Sequence, residues 1–300
     1  MKREFNTVAI IGRVDDSRVS APMRALAAHL TRAGISVIAN ADVAATMPVK
    51  KVDNDALAEN ADLIVAIGGD GTILRAANLA RGHDRPLLGI NRGRLGFLAD
   101  VSPSEMLTSL DRVLQGDYSK ESRLLLDAVI HAPDGETRSA TALNDVVLQR
   151  QVSGRMIDFE TRIAGRYVNT HAGDGLIVAT PTGSTAYSLS CGGPIIEPTL
   201  DVVAVIPICP HTLGDRPIVV PANHDIDVVL LPRGETTAEV IVDGKSVGPL
   251  APSDRLTVSA AAERVTLLHP AGHDFYDILR SKLHWGRDSR QRNPGESTDG

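Results

Sequence analysis

The apolar run Leu63–Ile67 passes without a polar break into Gly68-Gly69-Asp70-Gly71-Thr72, and from there into a helical pattern of Ile73, Leu74, Ala77 and Leu79. A strand that turns straight into a helix through glycines is the repeating unit of an α/β sheet. Its carboxyl end offers close-approaching backbone N–H groups and the positive end of a helix to an anion. The same alternation surrounds it. Thr7–Ile11 is a β-branched run ending at Gly12, Ser36–Ala39 is a second strand, and Leu87–Ile90 leads into Asn91 and a second glycine-rich loop. Between them, Met23, Leu26, Ala27 and Leu30 share one face of a helix over 22–32, with Pro22 suited to its first turn and Gly34 to its stop. Ser102-Pro103-Ser104-Glu105 reads as a capping box, with proline at the first helical position, ahead of Met106, Leu107, Leu110, Val113 and Leu114; Gly116 ends that helix. The pattern predicts a mostly parallel sheet covered by helices on both faces, with both glycine-rich loops opening at the same end.

From about Ser122 the helical period fades. Short β-rich stretches recur at 123–132, 145–149, 156–164, 175–179, 202–208, 225–231, 238–242, 255–260 and 265–268. Turns such as Pro133-Asp134-Gly135 and Asp243-Gly244 separate them, which predicts a β-sandwich or related sheet pair. A short helix is expected within Thr185–Leu189. The expected organisation is an α/β unit over 1–120, a β-rich unit over 121–270, a segment over 271–285 that returns to the first unit, and a frayed tail over 286–300.

Composition narrows the function. Lys and Arg number 31 against 37 Asp and Glu, a formal charge of −6, so a duplex-coating protein is excluded. Aromatic residues are 3%, too few for base-stacking platforms. Cys191 and Cys209 form neither a metal-spaced pair nor a disulfide framework, and no apolar run approaches a membrane span. Lys2 and Arg3 precede too short a core for a signal peptide, and the expected compartment is the cytoplasm.

Gly68, Gly69 and Gly71 suit a phosphate cradle, and they equally suit a tight turn. Asp70 tips the balance. A carboxylate inside an anion-binding loop repels phosphate unless it binds a metal or takes a proton during reaction. The Walker lysine pattern is missing, so this is not an ordinary P-loop. Between Thr180 and Ser188 lie six hydroxyls, at 180, 182, 184, 185, 187 and 188. They are donors for phosphate and ribose oxygens, or helix caps. Asn144-Asp145 reads alone as a turn, and His211 after Pro210 is a candidate ligand or proton carrier. No His-Glu-x-x-His spacing marks a metal, and no Gly-x-Ser-x-Gly elbow anchors a hydrolase triad.

Gly68-Gly69-Asp70-Gly71-Thr72, Asn144-Asp145, and Asp174–Ser190 ending at Cys191-Gly192-Gly193-Pro194 stand in the order and spacing of the bacterial NAD kinase family. Gly89-Ile90-Asn91, Gly96-Phe97-Leu98 and Pro210-His211-Thr212-Leu213 fit it too, so the chain resembles that family over roughly residues 5 to 285. The resemblance implies an α/β N-terminal domain joined to a β-rich C-terminal domain. The implied reaction moves the γ-phosphate of ATP to the 2′-hydroxyl of the adenosine ribose of NAD. It further implies Asp70 as proton acceptor, Gly71 against the dinucleotide and Arg75 near the phosphates. Asn144 and Asp145 would hold ribose or adenine, with Asp145 shorter than the glutamate of many relatives. Arg155, Asp174, Thr182, the run Thr185, Ala186, Tyr187, Ser188, Leu189 and Ser190, and Lys245 complete the implied NAD contacts. Ala172 stands where some members carry an arginine linked to the choice between NAD and NADH.

No dedicated metal cage is visible in the sequence, so Mg²⁺ is expected to arrive with ATP. A homodimer or homotetramer is implied by resemblance alone; neither nucleic acid nor membrane is an expected partner. Two other readings stand beside it: a diacylglycerol-type lipid kinase, disfavoured because no amphipathic basic segment offers a membrane surface, and a non-catalytic NAD(P)-binding sensor.

Overall fold

Strands β1 (Thr7–Gly12), β2 (Ser36–Ala39), β3 (Lys50–Lys51), β4 (Leu63–Gly68) and β5 (Leu87–Asn91) pair in parallel in the order β5-β4-β1-β2-β3. The computed structural model describes residues 4–93, 96–99, 101–151, 155–232 and 237–285; the expected frayed tail at 286–300 lies outside them. Every residue of β4 and β5 is buried, as expected for strands covered on both faces. Helices α1 (Ser17–Arg32) and α5 (Met106–Leu114) cover one face, sharing a core of Val8, Ile10, Met23, Leu26, Leu30, Val65 and Leu110. The short α2 (Ala41–Ala44) follows β2. On the other face α3 (Leu57–Asn60) and α4 (Asp70–Ala80) bury Leu57, Ala58, Ile73, Ala76 and Ala77 against Ala9, Ile64 and Ala66.

Two helix starts differ from expectation. Helix α1 begins at Ser17, where the Asp16 carboxylate accepts from Arg18 N at 3.0 Å, so Pro22 lies inside the helix instead of in its first turn. A side-chain cap upstream extends the helix past the one backbone bond that proline removes. At α5, Ser102 Oγ accepts from Glu105 N at 3.3 Å and donates to Glu105 Oε2 at 2.7 Å. These bonds close the turn ahead of the helix, which starts only at Met106.

The second half is antiparallel. Strands β6 (Tyr118–His131), β7 (Thr137–Ala142), β9 (Ile157–Ile163), β10 (Arg166–Gly173), β14 (Ile226–Leu231) and β17 (Arg255–Pro270) extend the first sheet. Strands β8 (Asp145–Arg150), β11 (Gly175–Ala179), β12 (Val202–Ile208), β13 (Ile218–Pro221), β15 (Ala238–Val242) and β16 (Lys245–Leu250) form a second sheet, ordered β13-β12-β11-β8-β15-β16. Inward side chains of both, among them Phe159, Leu148, Val178, Val205, Val228, Val240 and Val258, make one core. The two halves therefore join as an α/β region and a β-sandwich-like region, with one sheet of the sandwich continuous with the parallel strands.

That continuity is the main departure from expectation. The stretches read as separate strands at 255–260 and 265–268 are one strand, β17, with a register irregularity between Ala260 and Arg264. Its first part lies between β6 and β14; its last part pairs with β6 and, in parallel, with β5 through Leu267↔Leu87 and Leu268↔Leu88. Leu267 is 1% exposed and packs with Ile64, Leu87, Leu125 and Leu143, side chains from both halves. The chain then enters α7 (Phe275–Leu283), whose Lys282 ammonium lies 5.2 Å from the Phe97 ring centre. Leu267→Ala is expected to cost about 2–5 kcal/mol of stability, read as a lowered urea midpoint with an unchanged slope.

Candidate active site

Helix α4 begins at the carboxyl end of β4 with Gly69 as its N-cap and Asp70 as its first residue. A carboxylate suits this terminus electrostatically, because the unsatisfied N–H groups there carry partial positive charge. Among the described residues, Asp70 Oδ1 is buried without a hydrogen-bond partner. Room for it comes from the second glycine-rich loop: a Cβ on Gly96 would meet Asp70 Oδ1, with Asp70 Cγ 3.1 Å away. The two loops thus meet at one place. They line a cleft of about 480 Å³ with Arg18, Arg92 and Lys282, beside Asn91 and Gly93. Arg18 and Arg92 both pair with Asp16, at 2.9 and 3.3 Å, which fixes these cations at the rim.

Gly71, the next residue, faces elsewhere. It lines a cavity of about 840 Å³ between α4, β7 and the β15–β16 hairpin. Arg75, Arg81, Arg138 and Lys245 line it together with the carboxylate of Asp243; Arg81 also pairs with Asp127 at 3.9 Å and Arg138 with Asp254 at 3.7 Å, which leaves the lining basic on balance. Arg75 donates from Nη2 to Asn54 Oδ1 at 3.3 Å, and Arg138 donates to the Pro249 carbonyl at 2.7 Å. A basic cavity of this size fits a polyanionic small molecule better than a neutral one.

Asp243 organises the wall of that cavity. It and Gly244 form the two-residue turn between β15 and β16, both at positive φ (47° and 76°), as a type I′ hairpin requires. Its carboxylate accepts from the backbone N–H groups of Leu143, Asn144 and Asp145 at 2.8, 2.8 and 3.2 Å. Burial pushes the Asp243 carboxyl up, and those three donors and Lys245 oppose the shift. Asp145 itself is 6% exposed, and burial together with the Asp243 charge raises it from its ordinary 3.8 to about 6. The dipeptide is therefore no simple turn: Asn144 and Asp145 are held by their backbones at the start of β8, and no side-chain hydrogen bond of either is found among the described residues.

The hydroxyl-rich segment divides into structural and open groups. Thr180 Oγ1 donates to the Leu143 carbonyl at 2.5 Å and accepts from Gly183 N at 3.1 Å. Ser184 Oγ donates to the Pro181 carbonyl at 2.6 Å and accepts from Ile196 N at 3.0 Å. Gly183 packs on Asn144, where a Cβ would lie 2.5 Å from the carbonyl carbon, so the Thr182–Thr185 turn seats directly on the Asn144-Asp145 backbone. Thr182 Oγ1 accepts from Arg123 Nη1 at 3.3 Å, and Thr185 Oγ1 contacts the Thr182 carbonyl at 3.4 Å. The expected helix is this turn followed by α6 (Tyr187–Ser190). Ser188 Oγ is buried with no partner among the described residues, while Tyr187 and Ser190 are exposed and Ala186 and Leu189 half-buried. Burial raises the Tyr187 phenol, with further contributions from Cys191, Cys209 and Asp174; burial likewise raises the Cys191 thiol, with Asp145 among the nearby charges.

Asp174 is engaged by Arg150, Nε to Oδ1 at 2.5 Å, and thus joins Tyr187 and Asp145 in one electrostatic neighbourhood. Ala172 lies at the end of β10, its carbonyl accepting from His211 N at 2.8 Å, and the His211 side chain is exposed. Arg155 is exposed directly after the undescribed 152–154. Of the expected dinucleotide contacts, Gly71, Arg75 and Lys245 line the basic clefts, whereas Asn144, Asp145, Arg155, Ala172, Asp174, Thr182 and residues 185–190 do not. Sequence reasoning missed Arg18, Arg81, Arg92, Arg138 and Lys282 as site-lining cations, and read Asp243 only as a turn residue. No local signal marks these cations: Arg81 directly follows α4, whereas Arg18, Arg92, Arg138 and Lys282 arrive from α1, the loop after β5, β7 and α7, which only folding brings to it.

No helix among the described residues is long and apolar enough to cross a membrane. The family models for the ATP-NAD kinase N-terminal and C-terminal domains match residues 8–118 and 143–269. The NAD kinase of Hahella chejuensis is 42% identical over 285 residues, 94% of this chain and 96% of that protein. The NAD kinase of Ectopseudomonas mendocina is 43% identical over 286 residues, 94% of this chain and 97% of that protein. Among solved structures, yeast NADH kinase complexed with NADH superposes with a TM-score of 0.90 at 23% identity, covering 97% of this chain and 90% of that one. An NAD kinase from Archaeoglobus fulgidus in complex with ATP gives 0.72 at 26% identity, over 93% and 98% of the two chains. Both domain models together, and relatives this similar over nearly the whole length, make the chain a member of the NAD kinase family.

Proposed function

We infer that the chain transfers the γ-phosphoryl group of ATP to the 2′-hydroxyl of the adenosine ribose of NAD, giving NADP and ADP. The observation that carries this reading is Asp70: a buried carboxylate oxygen with no partner among the described residues, at the head of a helix between two basic clefts. A secondary hydroxyl is a weak nucleophile. Its oxygen bonds to phosphorus as the bond to the ADP oxygen breaks, and its proton passes to Asp70. Arg18, Arg92 and Lys282 on one side, and Arg75 and Lys245 on the other, offset phosphate charge. A divalent cation carried by the ATP phosphates would neutralise further charge there. Most of the rate comes from aligning hydroxyl and phosphorus.

Gly71, Asn144, Asp145, Asp174, Thr182, Thr185 and Tyr187 form the dinucleotide contact set in this reading, with Ala186, Ser188, Leu189 and Ser190 shaping its wall and Arg155 and Ala172 at its margin. The α/β region over 1–120 supplies Asp70, and the β-rich region over 121–270 supplies most of the dinucleotide contacts. We place the protein in the cytoplasm as a homodimer or homotetramer.

Asp70→Asn is expected to lower NADP formation by about 10²-fold or more in a coupled assay, with NAD affinity by calorimetry nearly unchanged. Near wild-type turnover would remove Asp70 from the chemistry. Asp145 generates a pH prediction. Its carboxyl is raised to about 6, so it ionises as pH climbs through that value, and only then can it accept from a ribose hydroxyl at full strength. The KM for NAD should therefore rise as pH falls below about 6, a limb that Asp145→Asn abolishes. A raised folded-state value also means that the charged form opposes folding, a penalty that develops between 3.8 and about 6. Asp145→Asn is accordingly expected to raise the Tm at pH 8 relative to its effect at pH 3.5.

A further inference from the structure

We propose that Arg123 is a positioning residue: it sets the Thr182–Thr185 turn against the dinucleotide, and is itself held by Glu121, on which His269 also converges. This rests on the reading of that turn as a dinucleotide contact. Arg123 is 2% exposed, and a guanidinium in such a place is stable only when its fork is paired. Nη2 donates to Glu121 Oε2 at 2.8 Å and Nη1 donates to Thr182 Oγ1 at 3.3 Å. The guanidinium is planar and rigid, so fixing one nitrogen on Glu121 fixes where the other delivers its hydrogen. Because Thr182 Oγ1 accepts from Arg123, its own proton is left for a different acceptor, which in this proposal is the dinucleotide.

Glu121 is in turn fixed. His269 Nε2 lies 2.8 Å from the same Oε2, and His273 Nε2 lies 4.0 Å away, with the two imidazoles stacked at 3.7 Å. Burial acts to raise the Glu121 carboxyl, but His269 and Arg123 together pull it down to about 2, so it stays charged throughout the working range. Glu121, His269 and His273 bring metal-type ligand atoms within 4.8 Å of one another. The guanidinium on the shared oxygen supplies the positive partner that a divalent cation would otherwise provide, and two such charges at one carboxylate repel. Glu121 and Arg123 alternate along β6 and so share a face, opposite Leu267 and Val265 of β17. The same β17 pairs with β5, whose last residue Asn91 lines the Asp70 cleft. The network thus ties the turn that meets the dinucleotide to the sheet that carries the acceptor carboxylate.

The test compares Arg123→Met, Arg123→Lys, Thr182→Val, Thr182→Ser and the double variant Arg123→Met with Thr182→Val. Each is assayed for kcat and for KM toward NAD and ATP, with a thermal melt as a folding control. Arg123→Met and Thr182→Val are expected to lose about 10- to 100-fold in kcat/KM for NAD with KM for ATP unchanged. Thr182→Ser should restore activity, and the double variant should be no worse than the poorer single one. Folded Arg123 variants with wild-type kcat/KM for NAD, or additive losses in the double variant, overturn the proposal. If Arg123→Met does not fold, Glu121→Gln takes its place with the same expected loss and the same overturning outcomes. One equivalent of zinc bound by the purified protein and lost in His273→Ala would also overturn the assignment of Glu121 to Arg123. Wild-type turnover is the control for the function itself; were it absent, NAD affinity across the same variants carries the comparison.

Discussion

The pairing of β17 holds the molecule together. Over its length it is bonded to β6, and successive parts of its other edge bond to β14 and then to β5. One strand therefore belongs to the sandwich at its start and to the parallel sheet at its end. The change of neighbour coincides with the irregularity between Ala260 and Arg264, where an altered register adds local twist. That switch fixes the Asp70 carboxylate on α4 relative to the hydroxyl-rich turn of the other half.

Charge at the site is arranged with the same economy. Asp243 spends its acceptor capacity on three backbone amides, and that converts an ordinary hairpin turn into the anchor of Asn144 and Asp145. Asp145 then sits buried beside a second carboxylate, an arrangement that costs stability once both are charged. Thr180 and Ser184 spend their hydroxyls on backbone groups, so a segment that looks uniformly polar in sequence is in fact half scaffold.

The parallel strands, α4 and the meeting of both glycine-rich loops were legible because each depends on local pattern: a buried apolar run, a glycine stop, a helical stripe. What escaped depends on distant partners. Strands β7, β10, β13 and β16 have weak alternation, and β10, β13 and β16 expose several residues; they are strands because a neighbour lies alongside. The break read between 260 and 265 fails because β6 pairs along both pieces and carries the strand across. Asp70, Gly71, Arg75 and Lys245 could be picked out by motif, and the structure gathers all four around the start of α4. Arg81, Arg138 and Lys282 could not, since a lone basic residue has no signature until folding places it.

Strand order also has a temporal side. As the chain leaves the ribosome, Val101 can bond to the Gly89–Asn91 end of β5 almost at once, but the Leu87–Leu88 stretch of the same edge has no partner until residues 267 and 268 are made. Closing that stretch therefore comes after both sheets have otherwise been made, and it brings α7 and Lys282 to the Asp70 cleft. A nascent polypeptide released early would hold a nearly finished parallel sheet with an open seam, a natural target for chaperones and a natural seed for aggregation.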